Sequence, residues 1–252
     1  MTLAHRLDGP EGAPVLVLSP SLGTTTSLWD GVLPAFAARF RVLRHDLPGH
    51  GESPMPDGPV RVETIARGVL ALLDGAEVER AAFCGISIGG MVGQWLGANA
   101  AGRLAGLALC CTGAKLGERA DYDARAQLVR REGTGVVVAG ARERWFTPGF
   151  RDSPEARRIL AELAATSAEG YAACAEAVGA WDFRDELHRL APGPLVLFGG
   201  EDPVTPAAVR ETMLAGIPAA RSAVVAGAAH LPNVERPQAF AAAVLAYLEA
   251  GL

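Results

Sequence analysis

Lysine is almost absent. Lys115 is the only one in 252 residues, and arginine carries nearly all the positive charge. Cations are also outnumbered, 23 Lys and Arg against 28 Asp and Glu, and no basic block occurs. A net charge of −5 without a basic stripe lacks the electrostatic footprint of a nucleic-acid binder, so no such partner is expected. Cysteine is scarce as well. Cys84, Cys110, Cys111 and Cys174 form no C-x-x-C pair, and each sits in an apolar run. Buried free thiols are therefore expected, without a disulfide frame, a metal site or a redox role. No apolar run approaches the ~18–20 uninterrupted residues that a membrane span needs. The stretch from Met1 to Asp8 has no signal-peptide apolar core, so a cytoplasmic protein with no membrane partner is expected. Internal repeats and low-complexity tracts are missing too.

What is present is half hydrophobic and long enough for one α/β domain with an insertion. Ala13–Leu18 and Leu104–Cys111 are short apolar runs of the kind a buried strand shows, and Arg41–Leu47, Arg80–Phe83, Gly193–Phe198 and Ser222–Val225 read as further strands. Helical periodicity separates several of them, at Val32–Phe36, Thr64–Leu73, Met91–Leu96 and Pro237–Leu248. Strands alternating with helices predict a mostly parallel sheet flanked by helices. The rhythm breaks from about residue 113 to 185, where the chain is charged, Ala-rich and helical in period. The expected organisation is an α/β core of residues 1–112 and 186–252, with 113–185 as a helical cap over the sheet's C-terminal edge.

One stretch organises the chemistry: Cys84-Gly85-Ile86-Ser87-Ile88-Gly89-Gly90. An apolar strand leads into it and a helical run leaves it. A Gly-flanked serine between strand and helix is the signature of a sharp turn that lifts a nucleophile above a parallel sheet. The turn strains the serine, and side chains two residues away on either side would clash where strand and helix crowd together. Placing Ser87 at a helix N-terminus also aims free N–H groups at an oxyanion formed beside it.

Two further candidates stand at the carboxyl ends of predicted strands, where open parallel sheets bind ligands. His230 follows the final strand in the Gly-rich loop Gly227–Asn233, and is better placed than His5, His45, His50 or His188. Asp202 lies in the loop Gly199–Pro206, with Glu201 as the rival acid. The shorter side chain and the Asp-Pro step favour Asp202. His230 would take the proton from Ser87, and Asp202 would fix the imidazole tautomer and stabilise the imidazolium. The N–H groups of Ile88 and Leu22 are the expected oxyanion donors, one after the nucleophile and one after the first core strand.

These residues, in the order Ser, acid, His, resemble those of the α/β-hydrolase superfamily over the whole chain. Within it the chain is most similar to the 3-oxoadipate enol-lactonases of the β-ketoadipate pathway. The finer match lies in Ser19–Thr24, Cys84–Met91, Leu109–Ala114, Glu143–Phe150 and Gly227–Asn233. The resemblance implies an α/β-hydrolase fold and no cofactor. It also implies hydrolysis of a small-molecule lactone carrying one carboxylate, through an acyl-enzyme on Ser87. An arginine of the insertion, Arg142 or Arg144, is expected to meet that carboxylate, and Trp29 and Trp145 to wall the ring. The same triad would also serve a carboxylesterase, a C–C bond hydrolase or a perhydrolase. A hydrolase-fold small-molecule receptor is the alternative outside catalysis. The oligomeric state is left open.

Overall fold

A computed structural model describes residues 1–250. Seven strands form one sheet: β1 His5–Asp8, β2 Val15–Ser19, β3 Arg41–His45, β4 Ala81–Ile86, β5 Leu104–Cys110, β6 Leu195–Gly199 and β7 Arg221–Val225. Their order across the sheet is β1-β3-β2-β4-β5-β6-β7. β2 through β7 are parallel, and β1 alone runs antiparallel, against β3. The central strands explain their own sequences. β4 is buried at every residue and β6 likewise, so both faces must be covered and no polar alternation survives.

β1 is the strand that sequence pattern does not announce. It is short and largely exposed, and pairs on one side only, so it carries no apolar run.

The covering helices of the core are α1 Leu33–Ala37, α2 Val62–Gly75 and α3 Ile88–Asn99, which follow the early strands. In α2 the buried Val62, Ile65, Ala66, Val69 and Leu73 repeat at three- and four-residue steps, one apolar stripe on a helix that packs beside α3. Between β5 and β6 the described residues hold no strand but four α-helices, α4 Arg119–Glu132, α5 Gly135–Trp145, α6 Pro154–Ala165 and α7 Ala168–Gly179, and then a short 3-10 helix, Arg184–Arg189. Local chemistry marks two of their starts. Ser153 accepts the Ala156 N–H ahead of Pro154 at the first turn of α6, and Ser167 accepts the Gly170 N–H ahead of α7. α8 Ala207–Gly216, α9 Pro232–Glu235 and α10 Pro237–Glu249 complete the fold. Among the described residues no helix is long and apolar enough to cross a membrane.

The strand order places the site. From β2 the chain passes outward to β3, then returns to the other side of β2 as β4. The loops leaving β2 and β4 therefore diverge, opening a crevice at the carboxyl ends of the two strands.

Candidate active site

Ser87 sits at the end of β4 with φ 58° and ψ −119°, a conformation that non-glycine residues rarely hold. Such backbone strain costs on the order of 1–3 kcal/mol and persists only where surroundings enforce it. Here the Ser87 N–H donates to the Cys110 carbonyl at 3.0 Å, and its carbonyl accepts the Thr112 hydroxyl at 2.8 Å. The flanking glycines are required by contact. A Cβ on Gly85 would stand 2.1 Å from the Gly89 carbonyl oxygen, and one on Gly89 would stand 2.2 Å from that of Ser19. Both obstructions are backbone, which cannot rotate away.

His230 pairs with Asp202 and lines the same cavity as Ser87. The His230 Nδ1–H donates to Asp202 Oδ2 at 3.0 Å, leaving Nε2 free to accept a proton. Asp202 is buried, which opposes its ionisation. The His230 imidazole, the Thr205 hydroxyl and the Val204 N–H outweigh that and hold its carboxyl below the usual range. Glu201 is exposed and makes no contact with His230, so the geometry selects Asp202 of the two acids. Cys111, next to Cys110, brings its sulfur, the Asp202 carboxylate and the imidazole within 4.8 Å of one another. This is the one group among the described residues with metal-ligand spacing. The imidazole is already committed to Asp202. Burial and the nearby Asp202 charge push the Cys111 thiol well up, so it rests as a neutral thiol. All four cysteines are buried and free.

The loop after β2 brings Ser21 and Leu22 to the same cavity as Ser87 and His230. Among the described residues neither the Ile88 nor the Leu22 N–H donates to a backbone carbonyl. His50 braces this loop, a role that sequence reasoning missed. Its Nε2 accepts the Gly23 N–H at 3.1 Å, and its Nδ1–H donates to the Pro48 carbonyl at 2.9 Å.

Ser87, His230 and Leu22 open on a cavity of about 210 Å³. Its outer wall comes from the inserted helices: Tyr122 and Arg125 of α4, Arg144 and Trp145 of α5, and Tyr171 of α7. A larger groove of about 730 Å³ lies near Met1, Met55 and Arg61, and none of the catalytic candidates borders it.

The expected binding residues divide. Arg144 and Trp145 line the cavity. Arg142 does not. It projects outward from the same helix and pairs with Asp152 at 2.9 Å and Glu143 at 3.1 Å. Two residues along a helix is about half a turn, so Arg142 and Arg144 face opposite ways. Trp29 does not line the cavity either. It is fully buried in the core, 6.3 Å from the Phe240 ring, because the short 3-10 turn Thr26–Trp29 rolls it inward.

Arg125, which the sequence did not single out, lines the cavity where Arg142 does not. Nothing in an arginine-rich helix marks it out, because only tertiary packing turns α4 toward Ser87. Arg125 stacks on the Tyr122 ring at 4.9 Å, and among the described residues neither it nor Arg144 pairs with a carboxylate. Burial, with the Arg125 charge beside it, holds the Arg144 guanidinium below the usual arginine range. Two cations face the cavity without an anion between them.

A family model described as alpha/beta hydrolase family matches residues 16–243. The chain is 42% identical to 3-oxoadipate enol-lactonase 2 of Acinetobacter baylyi, over 99% of this chain and 94% of that protein. It is 34% identical to 3-oxoadipate enol-lactonase 1 of the same organism, over 95% and 90%. Among solved structures, the enol-lactonase from Burkholderia xenovorans superposes with a TM-score of 0.94 at 37% identity, covering 98% of this chain and 96% of that one. A hydrolase from Pseudomonas aeruginosa superposes with a TM-score of 0.93 at 44% identity, over 98% and 94%.

Proposed function

Because the chain belongs to the alpha/beta hydrolase family, we propose that it hydrolyses 3-oxoadipate enol-lactone to 3-oxoadipate through an acyl-enzyme on Ser87. His230 Nε2 takes the Ser87 proton as the oxygen attacks the ring carbonyl. The Ile88 and Leu22 N–H groups receive the oxyanion, and Asp202 stabilises the imidazolium. Collapse opens the ring and expels an enolate, a better leaving group than an alkoxide, which His230 protonates. Water activated by His230 then releases the acyl group, and the enol tautomerises to the ketone. Residues 113–185 act as a cap, supplying the wall against which the substrate is held.

The observation that carries the substrate is the pair Arg125 and Arg144, unpaired cations in the same cavity as Ser87 and His230. A neutral ester gives them no partner. A ring ester with a short carboxylate arm satisfies both, and its apolar ring lies against Trp145. The names of the relatives point to the same substrate.

Steady-state hydrolysis of the enol-lactone by wild type and Ser87→Ala tests the reading. Expected is a kcat/KM of about 10⁴ M⁻¹s⁻¹ or more, abolished in the variant. Arg144→Ala should raise KM for the lactone roughly tenfold or more, the scale of a lost charge-assisted hydrogen bond. Activity on an uncharged aryl ester should change little, and Arg142→Ala should change neither. If the lactone is ignored while aryl esters are cleaved through Ser87, the protein is a general carboxylesterase and the substrate assignment falls.

A further inference from the structure

Glu235 ends the short helix α9, five residues after His230 in the chain, and is only 3% exposed. Among the described residues no arginine or lysine pairs with this carboxylate. Neutral donors satisfy it instead. Oε1 accepts the Thr147 N–H at 3.0 Å and also the Thr147 hydroxyl, and Oε2 accepts the Ala229 N–H at 2.8 Å. A second bond runs alongside, from the Leu231 N–H to the Trp145 carbonyl at 3.2 Å.

The residues immediately before and after His230 are thus both tied to the stretch Trp145–Thr147. That stretch continues directly from α5, whose last residues, Arg144 and Trp145, form the cavity wall. On one side of the clasp is the imidazole, and on the other is the wall that holds the substrate.

We propose that Glu235 is a positioning residue: its carboxylate clasps the His230 loop to the end of α5 and fixes the spacing between imidazole and substrate wall. The proposal rests on the reading of His230 as the general base. The physical reason is the accounting of buried donors. Without the carboxylate, the Ala229 N–H loses its acceptor in a buried site, and the Thr147 N–H and hydroxyl lose theirs in a half-buried one. A buried donor left so must move toward water, and the Ala229 N–H that moves carries its neighbour His230 with it, while Thr147, turning to solvent, releases the stretch that follows Trp145. A displacement of the order of 1 Å at a reacting group costs about a hundredfold in rate.

The test uses Glu235→Gln, Glu235→Ala, Thr147→Val and the double variant Glu235→Gln with Thr147→Val. Each is measured on the enol-lactone and on a neutral aryl ester. Rates are taken per active site, titrated with a phosphonate that labels Ser87, and Tm is recorded in parallel. Glutamine keeps one acceptor oxygen but turns an NH2 toward a donor, so it opens one side of the clasp. Glu235→Gln should lower kcat on both substrates roughly tenfold and raise KM for the lactone alone, and Glu235→Ala should approach the hundredfold limit. Thr147→Val removes only the hydroxyl and should give the same pattern, more weakly. The double variant should be little worse than Glu235→Gln, because both changes break one contact.

A merely structural role gives a different pattern: lower Tm with kcat and KM per titrated site unchanged in both Glu235→Gln and Thr147→Val. That result overturns the proposal. Should Glu235→Ala fail to fold, the Gln and Val variants decide alone. His230→Ala separates the two readings. Full activity in that variant removes the base, and with it the need for a clasp, while an inactive His230→Ala beside a kinetically normal Glu235→Gln removes only the clasp.

Discussion

Acidification should destabilise this protein through one brace of the active-site loop, and the size of the effect follows from the geometry of His50. The ring is fully buried, its Nδ1–H is spent on the Pro48 carbonyl, and its Nε2 must stay bare to accept the Gly23 N–H. A proton on Nε2 would set donor against donor in a fully buried site. Burial accordingly lowers its pKa from 6.5 to about 4. Between those values the unfolded chain binds a proton that the folded chain refuses, so stability rises with pH across the window and is lost as pH falls through it. One such proton contributes about 1.4 kcal/mol per pH unit, or roughly 3 kcal/mol over the full window. His45 is equally buried, with its pKa also lowered to about 4, and doubles the slope. Asp46, raised by burial, opposes it in the lower part of the window. Comparing slopes between wild type and His50→Gln cancels these common contributions. Glutamine can still accept from Gly23 and donate to Pro48, but it does not titrate. Urea unfolding at a series of pH values between about 4.5 and 6 should give a slope shallower by about 1.4 kcal/mol per unit in the variant. An identical slope would refute the reasoning, because His50 would then be protonated in the folded state or never neutral within it.

Two other substitutions follow from the site directly. Asp202→Asn replaces the acceptor of the His230 Nδ1–H by an amide that can turn the imidazole to the wrong tautomer, so kcat near neutral pH should fall about 10⁴-fold with Tm little changed. Gly89→Ala drives a methyl to 2.2 Å from the Ser19 carbonyl, where both partners are backbone, and overpacking of this kind costs about 1–3 kcal/mol. Calorimetry should show a Tm lower by several degrees, and phosphonate labelling of Ser87 should slow, because strand and helix must part to admit the methyl.

The parts of the site that sequence made legible are those whose backbone does the work. The Gly-x-Ser-x-Gly turn can be read because only glycine fits at Gly85 and Gly89 and only a strand-turn-helix gives φ 58° at Ser87. Asp202 can be read because it occupies the loop at the end of β6, a strand buried at every residue, whereas His230 follows β7, an edge strand with only Val225 buried, and is read from its Gly-rich loop and its place after the last strand. Residues whose role depends on which way a helix faces could not be read. Arg142 and Arg144 have the same chemistry, and only the packing of α5 sends one outward to Asp152 and the other into the cavity. Arg125 lies in an arginine-rich helix with no local mark. Trp29 looks like a wall from its place after the β2 loop, yet it is core, since a large indole left near a hydrophobic interior gains most by entering it. β1 escaped for the opposite reason, an exposed edge strand with nothing apolar to bury.

The division of labour between sheet and inserted helices bears on how recognition reaches the reacting carbonyl. The helices form a body of their own, with Arg130 of α4 bridging Glu169 of α7 at 2.8 Å. That body is then fastened to the core at two places beside the chemistry. Glu162 of α6 accepts hydroxyls from Thr25 at 3.2 Å and from Ser27, on the loop that carries Leu22. Glu235 performs the corresponding task for the loop that carries His230. A carboxylate of the protein thus stands at each seam, accepting donors from the loop on one side and holding the helical body on the other. Under the proposed function, binding energy gained at Arg125 and Arg144 would raise kcat only if the wall and the catalytic groups move as one. A wall free to slide would convert that energy into a lower KM and no faster step. The two carboxylate seams oppose such a slide beside the reacting groups, together with the bonds from Trp181 Nε1 to the Gln94 side chain and from the Leu231 N–H to the Trp145 carbonyl.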